Sequence, residues 1–194
     1  MGLNFDDIKA AIAQAVLSAS ALPVGKVIWS RQDGPSPAVP YITLEMGTVR
    51  RVGGTDEADH TFNGSAPAGQ EIVERVGGPR VLGVSMEAFT LKVAGTNAGV
   101  PLLEKVRTRL QLPSIRDTLR SSAAALTLED SDEEVLDLSQ VRHVGFEGRA
   151  SVGLYFSTTE IEEDTPVGYI ATVQLVDLTG DGVIAPDGFN EGGG

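Results

Sequence analysis

Two histidines, a dense set of carboxylates and a few glycine pairs are the residues with which this chain could do chemistry. His60 follows Asp59 in a polar stretch, and His143 precedes Val144 in a predicted strand or its turn. Neither belongs to a spaced ligand motif such as H-E-x-x-H. Nucleophilic triads and catalytic zinc sites usually draw on at least one His, and ordinary surface or edge positions account for both of these. The chain has no cysteine, which excludes disulfides, thiolate metal sites and a cysteine nucleophile.

The acids from Glu129 to Asp137, and the cluster Glu160-Ile161-Glu162-Glu163-Asp164, contain enough carboxylates for a general acid and base. Consecutive acids are more often a solvated turn, and they also suit an interface with a basic partner. Asp177-Leu178-Thr179-Gly180-Asp181-Gly182 begins like a calcium loop, but its twelfth position is Gly188 and not the bidentate Glu that such a loop needs. A flexible turn is the simpler reading. The glycine pairs at 53–54 and 77–78 match no phosphate-binding loop, since no G-x-x-x-x-G-K-[ST] is present. No metal or cofactor is expected, and no catalytic constellation can be drawn. An enzyme therefore ranks third, behind an assembly protein and a small soluble binding module with a β-pocket.

With 194 residues, 41% of them hydrophobic, and a mean hydropathy close to zero, the chain can build one good core. Its 23 glycines, 10 prolines and 5% aromatics favour many strands and turns over a helical bundle. A net charge of −12 argues against attraction to a nucleic-acid backbone, which needs clustered Lys and Arg. No apolar run reaches the ~18 residues of a membrane span. The start Met1-Gly2-Leu3-Asn4-Phe5-Asp6-Asp7 is acidic where a secretory signal is basic. A soluble cytoplasmic product is the expectation.

The elements that must position these residues follow from periodicity. Phe5, Ile8, Ile12, Val16 and Ala19 form an apolar helical stripe over residues 4–20, with Asn4 as N-cap. Val27-Ile28-Trp29 is a short strand, and the loop of residues 31–40 is stiffened and extended by its prolines. Tyr41 to Met46 alternates as a half-buried strand. Residues 53–69 read as a mobile loop without pattern. Gln70–Val76 and Arg80–Val93 are predicted strands joined by a hairpin at Gly77-Gly78-Pro79, the second one central in its sheet. Asn97 caps a predicted helix from Ala98 to about Gln111, with Val100, Leu103, Val106 and Leu110 on one face. A second short helix covers Ser114–Ser122. Two strands flank the acidic turn at 129–134, and Gly148–Glu160 and Tyr169–Val176 close the fold. The fold class is α+β, a single domain over residues 1–178 with a largely antiparallel sheet and two or three helices packed on it. Residues 179–194 form a flexible Gly- and Asp-rich tail.

Two stretches carry a family resemblance. Val27-Ile28-Trp29-Ser30-Arg31-Gln32-Asp33-Gly34-Pro35-Ser36-Pro37-Ala38-Val39-Pro40-Tyr41 resembles the opening of phage neck (tail) terminator proteins, where a short strand leads through a Gln- and Pro-rich loop to a Pro-Tyr pair. Near the C-terminus, Gly168-Tyr169-Ile170-Ala171-Thr172-Val173 after an acidic stretch is similar to the family's final hairpin. Arg31 departs from the Asn expected before Gln32, and residues 53–69 and the turn at Glu129 have no clear counterpart.

The resemblance, over roughly residues 4–178, implies a virion protein assembled in the host cytoplasm. It would form a ring, usually of about six subunits, that caps the tail tube, stops its polymerisation and meets the head-side connector or stopper protein. The sheath is a further candidate partner. Genome DNA would pass through the lumen without specific binding. Another connector ring or a tail-tube component is the alternative within the class. Interface residues are expected in the Pro-rich loop (Gln32, Pro35, Pro37, Pro40) and the acidic turn (Glu129, Asp130, Asp132, Glu133, Glu134). Arg116 and Arg120, four apart on one helical face, are expected to pair with a neighbouring subunit's acids.

Overall fold

A computed structural model describes residues 3–30, 35–53, 55–67, 72–91, 97–142 and 145–164, with 140–142 and 145–147 described by backbone alone. Gln32, His143, the expected strand Tyr169–Val176, the calcium-like turn and the tail at 179–194 lie outside the described residues.

Helix α1 spans Phe5–Ser20. The Asn4 side-chain oxygen accepts from the N–H groups of Asp6 and Asp7 at 3.1 and 3.4 Å, satisfying two donors that a first turn leaves open. Ala21 closes the helix in the left-handed region at φ 58° and returns its N–H to the Leu17 carbonyl. The stripe Ile8, Ile12, Val16 and Ala19 is buried. Phe5, expected to join it, is 42% exposed, so the buried stripe starts at Ile8.

Strand β1 (Val27–Trp29) runs parallel to β2 (Tyr41–Arg51), with Trp29 opposite Leu44. The Trp29 indole N–H donates to the Lys9 carbonyl, which ties this edge of the sheet to α1. Strand β2 is antiparallel to β4 (Ile72–Leu91), with a register shift between Met46 and Val49. Strand β3 (Glu57–Phe62) pairs with β4. Helices α2 (Gly99–Leu110) and α3 (Pro113–Arg120) follow. The short strands β5 (Thr127–Leu128), β6 (Leu136–Asp137) and β7 (Gln140–Arg142) all pair antiparallel with the long β8 (Gly145–Glu163). The eight-stranded sheet has the order β1-β2-β4-β8-β5. The fold class is thus α+β with a mostly antiparallel sheet, as the sequence predicts.

The chain divides into two compact units, Met1–Ala58 with Val76–Glu162, and Asp59–Arg75 with Glu163–Gly194. The first holds the core. Alternate residues of β4 (Leu82, Val84, Met86, Ala88) and β8 (Ala150, Val152, Leu154, Phe156) join Ile42 and Leu44 of β2 on one face. Onto that face pack the apolar stripes of the helices, including Leu103, Val106 and Leu110 of α2 and Ile115 and Leu119 of α3. The strict alternation along β4, with β2 on one side and β8 on the other, makes it the central strand that its two-sided pattern predicts. In the second unit, His60 of β3 faces Glu74 at 3.5 Å and Arg75 pairs with Glu163 at 2.8 Å.

Two expectations are corrected. Gly77-Gly78-Pro79 makes no hairpin, because β4 continues through it from Ile72 to Leu91. These glycines serve close approach and not a turn. A Cβ on Gly77 would lie 2.6 Å from the Glu160 carbonyl oxygen, and one on Gly78 would lie 2.5 Å from the Asp56 carboxylate. Pro79 keeps its place in the strand at the end of the β2 pairing, with its carbonyl accepting from Val52. The second correction is β3, which lies inside the stretch read as patternless. All six of its residues are exposed, so no alternation of apolar and polar residues marks it; backbone pairing alone defines it.

Candidate functional site

The acidic turn is built as a bulge on the edge of the sheet. Leu128 of β5 stands opposite Phe156, and Leu136 of β6 opposite Ser151, so both strands register on the same edge of β8. Residues 129–135 leave the sheet between these two anchors. Four contacts hold them. The Glu129 N–H donates to the Tyr155 carbonyl at 2.9 Å, and Arg107 of α2 donates to the Glu133 carbonyl. Gln111 donates to Asp130 at 3.4 Å, and the Tyr155 hydroxyl donates to the Glu133 carboxylate. That carboxylate, as acceptor and as a negative charge, pushes the Tyr155 hydroxyl above the ordinary tyrosine range. Glu129, Asp132 and Glu134 are exposed, and their carboxylates have no partner among the described residues.

The sheet face turned away from the helices carries a trough beside this bulge. Its floor is made of small residues on neighbouring strands: Gly47 of β2, Gly83 of β4 and Gly153 of β8. A Cβ on Gly47 would come within 3.2 Å of the Gly83 carbonyl oxygen, and the space above Gly153 is taken by the Glu133 carboxylate. Glu133, Glu134 and Leu136 form one wall of this part, a cavity of about 390 Å³. A neighbouring part of about 650 Å³ has Arg50 and Val52 of the β2 end among its lining, with Tyr155 and the acidic bulge.

A second cluster sits where β2 gives way to β3. Arg80 donates fork-to-fork to Asp56, Nη1 to Oδ1 at 2.7 Å and Nη2 to Oδ2 at 2.9 Å, while its Nε donates to Glu160 at 2.7 Å. Arg51 adds an ion pair to Asp56 at 2.9 Å. The Arg80 side chain is only 10% exposed. Its hydrogen bond holds the Asp56 carboxyl below the ordinary carboxylate range, and the Asp56 and Glu160 bonds raise the Arg80 guanidinium further above its own. Every charge here is matched, which suits a clamp and leaves no group poised for proton transfer.

At the other end of the sheet Arg149 binds both Glu87 carboxylate oxygens, at 2.9 and 2.7 Å. Its guanidinium lies 5.3 Å from the Phe89 ring centroid, and Phe89 stacks on Tyr41. The expected cap Asn97 does accept the Gly99 N–H, at 2.8 Å, from one residue outside the cap position. Its amide also donates to Asp137 and to the Arg149 carbonyl, locking α2 to the β6–β8 edge. The Asp137 carboxyl is held low by hydrogen bonds from Ser139, then by Asn97.

The structure brings together some of the residues expected at an interface. Arg116 reaches the bulge through a relay, donating to Gln111, which donates to Asp130, each at 3.4 Å. Arg120 instead pairs loosely with Asp117 at 3.8 Å. Pro35 and Pro40 are exposed and Pro37 half-buried. The described part of their loop bends at residues 38–40, with a cis peptide before Pro40 and the Lys26 ammonium donating to the Ala38 carbonyl. Sequence reasoning missed the Arg80 cluster and the glycine floor. A glycine in the middle of an alternating strand, as at Gly83, is the signal that could have found the floor.

Among the described residues no group of His, Asp and Glu is arranged to hold a metal ion, and no helix is long and apolar enough to cross a membrane. What the geometry displays is surface: an acidic bulge, a glycine-floored trough and a proline-rich loop on an α+β frame, the equipment of a protein that works by assembly. The model of the phage neck terminator protein family matches residues 6–183, and the chain belongs to that family. It is a structural protein of the phage virion, placed at the neck of the tail. No curated protein matches the chain.

Proposed function

We propose that this chain is the tail terminator at the head–tail junction, a ring of about six subunits that caps the finished tail tube and halts its growth. The ring would offer its other face to the head-side connector or stopper protein. The family match over nearly the whole chain carries this reading. The architecture supports it, since a closed ring needs two different complementary surfaces on each subunit, and the acidic bulge and proline-rich loop lie on different segments of the frame. Subunit contacts are assigned to Gln32, Pro35, Pro37 and Pro40, to Arg116 and Arg120, and to the bulge acids Glu129, Asp130, Asp132, Glu133 and Glu134. The net charge of −12 per subunit favours a lumen that DNA slides through without sticking.

Electron microscopy of the purified protein, alone and with polymerising tail tubes, tests the proposal beside a light-scattering mass. Rings of about six subunits, or density on tube ends with growth arrested, are the expected result. A strict monomer beside tubes that keep elongating would overturn it.

A further inference from the structure

Six cations of this acidic chain are consumed inside the subunit: Arg51, Arg75, Arg80, Arg107, Arg120 and Arg149 all have carboxylate partners. Lys105 and Arg109, one turn apart on α2, have none among the described residues. Arg109 in the last turn complements the helix dipole, but Lys105 stands too early in the helix for that. Leu112, just past the helix and on the same line, is 45% exposed. At about 100° per residue, Lys105 lies nearly opposite Arg107, which faces the subunit's own acidic bulge. This line therefore points away from the bulge.

The trough on the open sheet face has the complementary character. Its wall carries Glu134, whose carboxylate has no partner, and Leu136, which is 57% exposed. Its floor of Gly47 and Gly83 removes the side chains that would hold an approaching element away. We infer that the trough is the docking site for the outward face of α2 from a second copy of this chain, with Lys105 and Arg109 set against Glu134 and its neighbours, and Leu112 against Leu136. Among the described cations without a carboxylate partner, Lys105 and Arg109 form a pair on one helical face beside an exposed leucine, and this pair with Leu112 matches Glu134, the neighbouring Asp132 and the exposed Leu136. The two surfaces differ, so the contact is head-to-tail and repeats from subunit to subunit. The inference rests on the ring reading and names the interface that would close it.

Four full-length variants test it by light scattering and electron microscopy, alone and on tail tubes. Lys105→Glu with Arg109→Glu, and separately Glu134→Lys, should each weaken association by more than about tenfold. Both sets of changes in one chain should restore it, because the signs are exchanged across the same contact. Gly83→Leu fills the floor: a Cβ there meets the Thr48 and Tyr155 side chains only at ordinary contact distance, 3.5 and 3.6 Å. This variant should fold and fail to associate. Unchanged melting temperatures confirm that each variant is folded. Rings that survive the reversals, or losses that the combined chain does not recover, overturn this interface and leave the ring reading standing. Absence of any assembly by the unaltered protein, alone or on tubes, overturns both.

Discussion

Arg80 and Asp56 face each other as two parallel forks, 2.7 and 2.9 Å apart at the two pairs of atoms, and so pin the start of the β3 excursion to the middle of β4. Glu160 on β8 takes the remaining Nε donor of the same guanidinium. One side chain thus joins segments separated by 24 and by 80 residues.

The pH dependence of this clamp has a definite sign. Asp56 has its carboxyl lowered in the fold, first by the Arg80 hydrogen bond. Its contribution is therefore complete above the ordinary carboxylate pKa and is lost as pH falls through the lower, folded value. Thermal melts from neutral pH down to about pH 3 should show the decline, with a shallower slope for Asp56→Asn. Equal slopes for the two proteins would remove Asp56 from the account. Arg80→Leu should be worse than Asp56→Asn at neutral pH, since it strands the Glu160 carboxylate and leaves Asp56 with Arg51 alone.

Two glycines on the same strand should respond in opposite ways to a methyl group. Gly77→Ala places its Cβ 2.6 Å from a backbone oxygen of Glu160, which cannot swing aside, and should cost about 1–3 kcal/mol. Gly83→Ala meets only contacts at 3.5 Å and beyond and should stay within roughly 0.5 kcal/mol. Urea titrations of both variants decide the point, and a Gly77→Ala protein as stable as the parent would show that the strands can part there without loss.

Phe156 is fully buried between the sheet and the helices, at 0% exposure, whereas Phe62 on β3 is 60% exposed. Phe156→Ala should lose about 3–5 kcal/mol of unfolding free energy, and Phe62→Ala less than about 0.5 kcal/mol. Comparable losses from the two would mean that Phe62 is covered in solution.

Tyr155 is the tether of the acidic bulge. Tyr155→Phe should speed amide exchange across residues 129–135 while the melting temperature stays put, because the bond is exposed. Glu133→Gln should bring the Tyr155 hydroxyl back toward the ordinary tyrosine range in an ultraviolet titration, by removing the charge and leaving only a weaker, neutral acceptor. A tyrosine titration unmoved by Glu133→Gln would argue against the tether.

Where burial writes a period into the chain, the fold was readable. The α1 stripe, the alternation in β4 and the 103/106/110 face of α2 all follow from one buried side per element. The reading failed where pairing leaves no such mark. Strand β3 has six exposed residues, and Gly77-Gly78-Pro79 has the composition of a turn while serving as a crowded crossing of strands. The same limit applies to the candidate site. The acid run was visible as a run, but whether Arg116 or Lys105 lacks a partner depends on where Gln111 and the bulge fall in space. Likewise the Arg80 clamp joins residues 56, 80 and 160, a spacing that carries no local signal.

The edge of β8 sets the register of its neighbour twice, at Phe156 with Leu128 and at Ser151 with Leu136. Each anchor stands without the other, so the span between them is free of the sheet's metre: residues could be added or removed there and both flanking strands would keep their rungs. The bulge is thus where this frame can change what it presents to a neighbouring subunit without disturbing the strands that carry it.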